Sequence, residues 1–307
     1  MNSENGVISM TIAVIGAGIA GVAAALDLQD AGHDVTVFDK SRGLGGRLAT
    51  RRDAAISLDH GAPGVVAHDA AFAAALARAG GAVCPDYGFV GQPGMSSLVK
   101  GLADGIAVSN SVEIASVAET RNGIVLTDQT GAEHGGFDRV VMAVPAPQAR
   151  VLARDFPQAD SALAAVIMAP VWSLLLAFDT PQRLTGATSP VFDAVVHNSG
   201  KPGRAETPDT WVAHATAEWT RAHLEDPRDK VLEALTSAFA GLSAAQLPTP
   251  IYHTVHRWRY ARCERPLGAP FVEALGGRLV IGGDWALGSE AEDAWRSGKA
   301  MAQALLA

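Results

Sequence analysis

The sequence predicts an α/β fold in which a parallel-sheet domain is interleaved along the chain with an α+β domain. Near the N terminus, the apolar run Thr11–Ile15 is followed by a glycine-rich turn, apolar residues at helical spacing and a second apolar run at 35–38. This order is typical of two parallel strands joined by a helix. A similar strand pattern returns at 278–281, whereas residues 150–273 are typical of strands and one long helix. The 307 residues suffice for about two domains.

The composition excludes several classes of protein. Hydrophobic residues make up 48% of the chain and the net charge is −8, which excludes a disordered chain and disfavours a nucleic-acid binder, because phosphate contacts need a basic surface. With only Cys84 and Cys263, we expect neither a disulfide framework nor a metal site. The 32 glycines exceed the usual share of about 7%. This excess predicts that backbone passes close to a ligand or to other backbone.

The remaining elements are predicted from apolar periodicity and turn residues. Residues 1–10 are polar and are expected to be a loose leader, and residues 162–178 are too short for a membrane helix, which needs about 20 residues. That stretch is predicted as a helix end, a break at Pro170 and a buried strand at 171–178. A cytoplasmic protein without a membrane span is expected. Further helices are predicted at 69–80 and at 229–240, and another helix is predicted to end within 100–106. Further strands are predicted at 106–108, 114–118, 124–127, 138–144, 191–196 and 210–215.

The first turn carries the strongest chemical signal. Residues 16–21 have the pattern Gly-X-Gly-X-X-Gly directly after a strand and at the start of a helix, and Asp39 ends the next strand. Gly16 permits the tight turn, Gly18 lets the backbone approach a pyrophosphate, and Gly21 lets the helix pack on the strand. The helix N terminus favours the phosphate charge, and Asp39 can accept hydrogen bonds from ribose hydroxyls. An ordinary glycine-rich turn is the alternative, but the complete context favours a Rossmann-type dinucleotide site.

Two further signals lie after the strand–helix–strand segment that ends at Asp39. Gly45, Gly46 and Arg47 form a second glycine cluster soon after Asp39. Near the C terminus, residues 280–284 end a strand with an acid, and residues 289–292 have the form of a helix capping box. The helix that follows would direct its N–H groups towards a bound ring system and stabilise negative charge there.

These three signals together resemble FAD oxidoreductases with the p-hydroxybenzoate-hydroxylase-type fold. More narrowly, the chain resembles the bacterial renalase-like proteins of the flavin amine oxidase superfamily, over nearly its whole length. The resemblance is carried by the blocks 45–52, 59–62, 90–96, 143–148, 211–215, 218–219, 256–261 and 283–285. It implies a Rossmann-type FAD-binding domain interleaved with an α+β substrate domain.

The resemblance also implies a reaction. Renalase-like proteins oxidise isomeric dihydronicotinamide dinucleotides by passing a hydride to flavin N5, and O₂ or another acceptor takes the electrons, with O₂ giving H₂O₂. Non-covalent FAD is expected, since no cysteine follows Cys263. The predicted partners are a small-molecule substrate and the acceptor. The FAD-binding domain is predicted at 10–58, 92–150 and 276–307, and the substrate domain at 59–91 and 151–275.

The resemblance assigns candidate site residues. The predicted cofactor-binding residues are Gly16, Ala17, Gly18, Ile19, Ala20, Gly21, Asp39, Lys40, Gly45, Gly46, Arg47, Gly61, Ala62, Ile114, Gly283, Asp284, Glu292, Asp293 and Ala294. His256 and His60 are the candidate catalytic residues, with structural hydrogen bonding as the alternative. The candidate pocket residues are Pro63, Met95, Trp258, Tyr260 and Trp285, for which core packing is the alternative.

Two departures from the family pattern leave the substrate open. Residues 63–66 are Pro-Gly-Val-Val where renalase-like proteins typically carry glutamine and then aromatic and hydroxyl residues. Asp293 stands where glycine is usual, and its carboxylate is expected to face the flavin pyrimidine. Because specificity depends on polar groups in the pocket, two alternatives remain. One is an oxidase of an amine or another biosynthetic intermediate, and the other is a non-catalytic FAD-binding protein.

Overall fold

The computed structural model describes residues 9–54, 56–184 and 189–307. The leader predicted at residues 1–10 therefore falls, apart from its last two residues, outside the described residues. The strands are β1 (Thr11–Ile15), β2 (Asp34–Asp39), β3 (Thr50–Asp53), β4 (Ile56–Asp59), β5 (Ala82–Cys84), β6 (Gly88–Val90), β7 (Ala107–Asn110), β8 (Ile114–Thr120), β9 (Gly123–Asp128), β10 (Glu133–Phe137), β11 (Arg139–Met142), β12 (Ile167–Phe178), β13 (Phe192–His197), β14 (Asp209–Ala215), β15 (Tyr252–Arg265), β16 (Phe271–Ala274) and β17 (Leu279–Gly282).

The helices lie between groups of one to five strands along the chain. They are α1 (Ile19–Asp30), α2 (Ala70–Arg78), α3 (Ser96–Leu102), α4 (Ala146–Leu152), α5 (Pro157–Ala164), α6 (Ala217–Ala222), α7 (Arg228–Ala240), α8 (Asp284–Leu287) and α9 (Ala291–Leu306). Within the described ranges, no helix combines the length and the apolar character needed to cross a membrane.

The chain divides into two compact units, each made of separate segments. The first unit comprises the described residues up to Gly46, then Leu102–Ile167 and Cys263–Ala307, and the second comprises Arg47–Gly101 and Met168–Arg262. The chain crosses between the units four times, so the expected interleaving is present. The bounds of the units differ from the domain bounds expected from sequence, which place the first crossing at 58 and the last at 276.

The first unit is built on a six-stranded sheet in the order β16-β17-β11-β1-β2-β7. Strand β1 pairs in parallel with both β2 and β11, and only the edge strand β16 is antiparallel. Strand β1 is buried in the middle because Ile12, Ala13 and Val14 are apolar on both faces. Helices α1 and α9 pack closely, since a Cβ on Gly298 would overlap the Ala20 carbonyl oxygen. A three-stranded sheet, β10-β9-β8, completes this unit.

The second unit contains a four-stranded sheet in the order β13-β14-β12-β15 and two hairpins, β3–β4 and β5–β6. Strands β12 and β14 pair antiparallel and are almost entirely buried. Helix α7 packs Val231, Leu235 and Phe239 into an apolar core with the sheet residues Trp172 and Leu176. This core fixes the sheet that carries the side chains described below.

The structure confirms the predicted α/β class and most of the predicted elements, including β1, α1, β2, the β8–β9 hairpin, α7 and α9. It corrects the prediction at Pro170. This residue lies inside β12 and does not break it. The register of β12 with β14 begins only at Ser173, so the missing N–H of Pro170 costs no hydrogen bond to that neighbour. The long strand β15 and the two short hairpins were not predicted, because their residues lack clear two-residue alternation.

Candidate functional site

The glycine turn of the first unit combines close packing with open space. Gly16 has φ +105°, and a Cβ there would lie 2.5 Å from the Ala143 carbonyl oxygen. A Cβ on Gly21 would overlap the Gly16 carbonyl oxygen. By contrast, a Cβ on Gly18 would meet no heavy atom within 4 Å in the described ranges, apart from its chain neighbours. Gly16 and Gly21 are therefore required by packing within the unit, whereas Gly18 borders space that a ligand can enter.

Asp39 organises the edge of the sheet next to this turn. One carboxylate oxygen accepts from the Ala17 N–H and the other from the Ser41 N–H, both at 2.7 Å. Each oxygen keeps a lone pair for a further donor such as a ribose hydroxyl. The Asp39 carbonyl accepts from the Val112 N–H at 3.0 Å, which brings the start of β8, with Ile114, to the same edge. The glycine turn, Asp39 and the predicted cofactor-binding residue Ile114 thus lie at one edge of the first unit.

The N terminus of α1 lies beside the second glycine cluster. Gly18 is the N-cap residue and no side chain caps this helix, so its first N–H groups face the turn. A Cβ on Gly46 would lie 3.5 Å from the Gly18 Cα. The positive end of the helix dipole and bare backbone together suit a pyrophosphate. Arg47 belongs to the second unit, where it donates to the Ala261 carbonyl at 3.1 Å.

The C-terminal signal differs in two details from the expectation. The capping box of α9 is formed by Glu290 and Asp293, and not by the residues at 289 and 292. Asp293 accepts from the Glu290 N–H at 3.0 Å, so its carboxylate serves the helix end. Glu292 is buried and pairs with Arg296 at 2.6 Å, and Ala294 is buried in the following turn.

Asp284 and Trp285, which follow β17 and precede α9, are both buried. Asp284 begins α8 and is buried. The Trp285 indole N–H donates to the Val144 carbonyl at 2.9 Å, and the side chain is fully buried. In the first unit, Trp285 therefore has the contacts of a core residue.

The second unit contains a buried ionic cluster that sequence reasoning missed. The Asp59 carboxylate accepts from Lys201 Nζ at 3.2 Å and from Arg204 Nη2 at 2.6 Å, and the side chains are 0%, 0% and 3% exposed. Its other oxygen accepts from Thr50 Oγ1 and from the Met95 N–H, both at 2.8 Å. Burial raises the Asp59 pKa, but the two cations and the hydrogen bonds hold it below its usual value. Met95 is thus a backbone donor to this cluster, and its side chain is fully buried.

The departure at residues 63–66 has a structural explanation. A Cβ on Gly64 would overlap the Tyr87 carbonyl oxygen, and Val65 exchanges backbone hydrogen bonds with Phe89 at 2.9 and 2.7 Å. This segment therefore packs on the β5–β6 hairpin. Pro63 is half-buried and precedes the packed segment. Lys201 Nζ lies 5.6 Å from the Tyr87 ring centroid, which links the hairpin to the ionic cluster.

His60, His256 and Trp258 form a compact group, called here the histidine cluster. His60 stacks on Trp258 with a centroid distance of 5.2 Å, and the edge of His256 meets both rings at 4.6 and 4.4 Å. The Trp258 indole N–H donates to the His60 carbonyl at 2.9 Å. Tyr260, two residues along β15, is half-buried and makes no ring contact with the cluster among the described residues.

Both imidazoles of the histidine cluster are neutral near pH 7. Burial lowers the pKa of His60 to about 4, with His256 and Arg51 acting in the same direction. Burial, Arg51 and Arg228 lower the pKa of His256 to about 4 as well. Next to His60, Gly61 and Ala62 pack on the backbone of Arg47: a Gly61 Cβ would overlap its carbonyl, which accepts from the Ala62 N–H at 2.8 Å.

A third buried histidine escaped the sequence analysis. His214 on β14 is 5% exposed, its Nδ1 lies 2.9 Å from Ser173 Oγ, and its Nε2 has no hydrogen-bond partner among the described residues. Burial lowers its pKa to about 3, and Arg262, Lys201 and His60 add to the shift. His214 lies in block 211–215 of the resemblance, but no site role was assigned to it there, because only the pairing of β12 with β14 brings Ser173 opposite it.

We expect the unfolding free energy to fall as the pH is lowered from 7 to 5. His60 and His214 have folded pKa values of about 4 and about 3, below the unfolded value of 6.5. The unfolded chain therefore binds more protons below about pH 6.5, so the stability present above that pH is lost on acidification, by about 1–2 kcal/mol for each histidine. Urea unfolding at several pH values measures this. His214→Gln should reduce the slope, whereas the exposed His253→Gln should leave it unchanged; equal slopes in the two variants would contradict the assignment.

Comparison with known proteins decides the family. A profile described as an NAD(P)-binding Rossmann-like domain matches residues 14–80, and one described as flavin-containing amine oxidoreductase matches residues 69–306. The second match covers most of the chain. The chain belongs to the flavin-containing amine oxidoreductase family. Membership of this family, together with the Rossmann-type match, confirms FAD as the predicted cofactor.

Curated relatives match over short stretches. A probable zeta-carotene desaturase of Synechococcus elongatus is 49% identical over 45 residues, which are 15% of this chain and 9% of that protein. A 4,4'-diapophytoene desaturase of Staphylococcus aureus is 44% identical over 57 residues, or 19% of this chain and 11% of that protein. The matched stretches thus span only a small part of the length of these relatives.

Solved structures resemble the whole fold. A putrescine oxidase bound to putrescine has a TM-score of 0.73 and 14% identity, and the match covers 97% of this chain and 99% of that chain. A putative protoporphyrinogen oxidase from Exiguobacterium has a TM-score of 0.72 and 14% identity, with 98% and 99% covered. At this identity the likeness shows the fold alone.

Within the described ranges, no group of three or more His, Cys, Asp or Glu side chains is arranged to hold a metal ion.

Proposed function

We propose that the protein is an FAD-dependent oxidoreductase that takes a hydride from a small organic substrate. The observation that carries the proposal is the open space at Gly18, beside an uncapped helix N terminus, in a chain of the flavin-containing amine oxidoreductase family. FAD, when bound, accepts a hydride at its N5 atom and passes the electrons to O₂ or another acceptor. The chain's own residues bind and orient the two molecules.

In this proposal, the first unit holds the cofactor without a covalent bond. The N–H groups at the start of α1 bind the pyrophosphate, and Asp39 accepts from the ribose. The segment from Asp39 to Ile114 receives the adenine end, which the hydrogen bonds of residues 111 and 112 to residues 41 and 39 support. Gly45 and Gly46, next to Gly18, would leave bare backbone for the pyrophosphate. The fit of the cofactor is supported by the chemistry of these donors and by the open space at Gly18, where no side chain of the part of the chain that the structure describes, beyond the chain neighbours of Gly18, lies within 4 Å of a Cβ.

The second unit supplies the substrate side. His60 and His256 are the residues we propose to contact the substrate, and their lowered pKa values keep them uncharged near pH 7. A neutral imidazole with a pKa of about 4 is a weak base, so these residues serve as hydrogen-bonding groups and do not carry the reaction by removing a proton. Hydride transfer from a dihydronicotinamide needs no such base. This agreement favours isomeric dihydronicotinamide dinucleotides as the first substrates to test.

The experiment is an anaerobic titration of the FAD-loaded protein with candidate substrates, followed by the loss of the yellow flavin absorbance. Loss of colour with a dihydronicotinamide isomer is the expected result. Loss of colour with an amine such as putrescine, and not with the dihydronicotinamides, would replace the substrate proposal by amine oxidation. A protein that binds FAD but is reduced by neither class, while dithionite still reduces it, would contradict the proposal and favour a non-catalytic role.

A further inference from the structure

We infer that the second unit binds an anionic group of the ligand, a carboxylate or a phosphate, beside the histidine cluster, with Arg51 as its charge partner. The inference depends on the proposed function only where it calls the ligand a substrate. It assigns the substrate to a chemical class, because a ligand with a negative charge close to His60 is favoured and a purely cationic ligand such as an alkylammonium is disfavoured.

Arg51 lies on the face of the β3–β4 hairpin that is opposite to Asp59. In the antiparallel register, Arg51 pairs with Leu58 and Thr50 pairs with Asp59. Because side chains alternate along a strand, Arg51 and Leu58 share one face, and Thr50 and Asp59 share the other. The hydrogen bond of 2.8 Å from Thr50 Oγ1 to Asp59 Oδ1 agrees with this division. Arg51 is half-buried, and His60 follows directly after β4, near enough for the Arg51 charge to lower the pKa values of both His60 and His256.

The charge of Arg51 has no counter-charge within the described parts of the chain, since Arg51 forms no ion pair there. The neighbouring carboxylate, Asp59, lies on the other face and already has two cationic partners, Lys201 and Arg204. These three buried groups carry one negative and two positive charges, so they add to the positive field. An anionic ligand would supply the missing negative charge.

A buried hydrogen-bonding atom also lacks a partner at this place. His60 is 8% exposed, and its Nδ1 is buried with no hydrogen-bond partner among the described residues. Arg51 lowers the pKa values of both His60 and His256, and the carboxylate that raises the pKa of His60, Asp59, is already paired with Lys201 and Arg204. A neutral imidazole can donate one N–H to a carboxylate or phosphate oxygen, while a guanidinium binds the same group through charge-assisted hydrogen bonds.

The same charges oppose a cationic ligand. An ammonium group beside the histidine cluster would face Arg51 and find no uncommitted carboxylate there among the described residues. A cation binds an aromatic ring through its face, and His60 covers one face of the Trp258 ring by stacking at 5.2 Å. The electrostatics therefore favour an anion over an ammonium.

The test is binding of three small probes to the FAD-loaded full chain in its oxidised state, at constant ionic strength set with sodium chloride. The probes are sodium benzoate, inorganic phosphate and n-butylammonium chloride, measured by calorimetry. Benzoate or phosphate is expected to bind, and the probe that binds more tightly shows whether the anionic group of the ligand is a carboxylate or a phosphate. Arg51→Met should weaken that binding by about ten- to a hundredfold. Arg52→Met is the matched control, because Arg52 is the next residue on the same strand, is exposed and lies on the other face.

Several outcomes would overturn the inference: no binding of either anion, tighter binding of butylammonium, or equal loss in the two arginine variants. Should Arg51→Met fail to fold, the histidine C2–H signals of the wild-type protein decide, since benzoate or phosphate must shift those of His60 and His256. The probes are not oxidised, so binding without turnover leaves the proposed oxidoreductase function to its own test. Conversely, reduction of the flavin by an uncharged or cationic substrate would support the function and contradict this inference.

Discussion

Replacing Asp59 by asparagine is expected to lower the free energy of unfolding by about 3–5 kcal/mol. Asparagine has nearly the same volume and can still accept from Thr50 and Met95, so packing changes little. The loss comes from Lys201 and Arg204, whose buried charges would have no carboxylate opposite them. Leaving a buried charge unpaired costs much more than the intact pair contributes. Urea unfolding at pH 7 measures the change.

Two further variants separate this charge effect from a general effect of substitution. Asp53→Asn, at the exposed end of the same hairpin, should change stability by no more than about 0.5 kcal/mol. Asp59→Asn combined with Lys201→Met should be less destabilising than the sum of the single changes, because the residues form one ionic cluster. Equal effects of the two aspartate substitutions would contradict the account of Asp59.

Replacing Gly18 by alanine is expected to weaken FAD binding by at least about a hundredfold while the fold is retained. The backbone of Gly18 is extended, with φ −84° and ψ −177°, which alanine adopts freely. Apart from its chain neighbours, a methyl group would meet no heavy atom of the described residues within 4 Å, so the cost at this helix N-cap is below about 1 kcal/mol. The same methyl would occupy space that the pyrophosphate needs. FAD binding by calorimetry, alongside thermal unfolding without FAD, measures both effects.

Two other glycines serve as controls. Gly21→Ala should destabilise the protein even without FAD, because its Cβ would overlap the Gly16 carbonyl. Gly43→Ala should change neither property, since a Cβ there meets nothing within 4 Å and Gly43 was not assigned to the cofactor. If Gly18→Ala bound FAD as tightly as Gly43→Ala, the pyrophosphate would not pass at Gly18.

The dinucleotide half of the fold could be predicted from sequence because its signals are local. The strand, glycine turn, helix and Asp39 follow one another within about thirty residues, and each residue type has a separate physical reason. The same holds for the β8–β9 hairpin, where Asn122-Gly123 favours a tight turn. The fold class and dinucleotide binding follow from these signals, whereas FAD follows from the family resemblance that the later glycine cluster and the C-terminal signal carry.

The substrate half could not be predicted in the same way because its contacts are distant in sequence. Asp59 meets Lys201 and Arg204 only after β4 has packed in the second unit, and nothing near residue 59 marks a buried ion cluster. The segment around Gly64, which looks like a lost pocket in the sequence, packs on the β5–β6 hairpin. In both cases contacts between residues distant in sequence gave the local pattern its role. Asp293, in the first unit, is different: its contact with the Glu290 N–H is local and forms the capping box of α9.

The most direct test of the central claim is the identity of the dinucleotide that the first unit binds. Purified protein should release FAD on acid denaturation, close to one molecule per chain, with no flavin left attached to the polypeptide. The cofactor-free protein should bind FAD and not NAD⁺ in calorimetry, and Gly18→Ala should lose that binding. Binding of NAD⁺ in place of FAD, or flavin that remains covalently attached, would contradict the account.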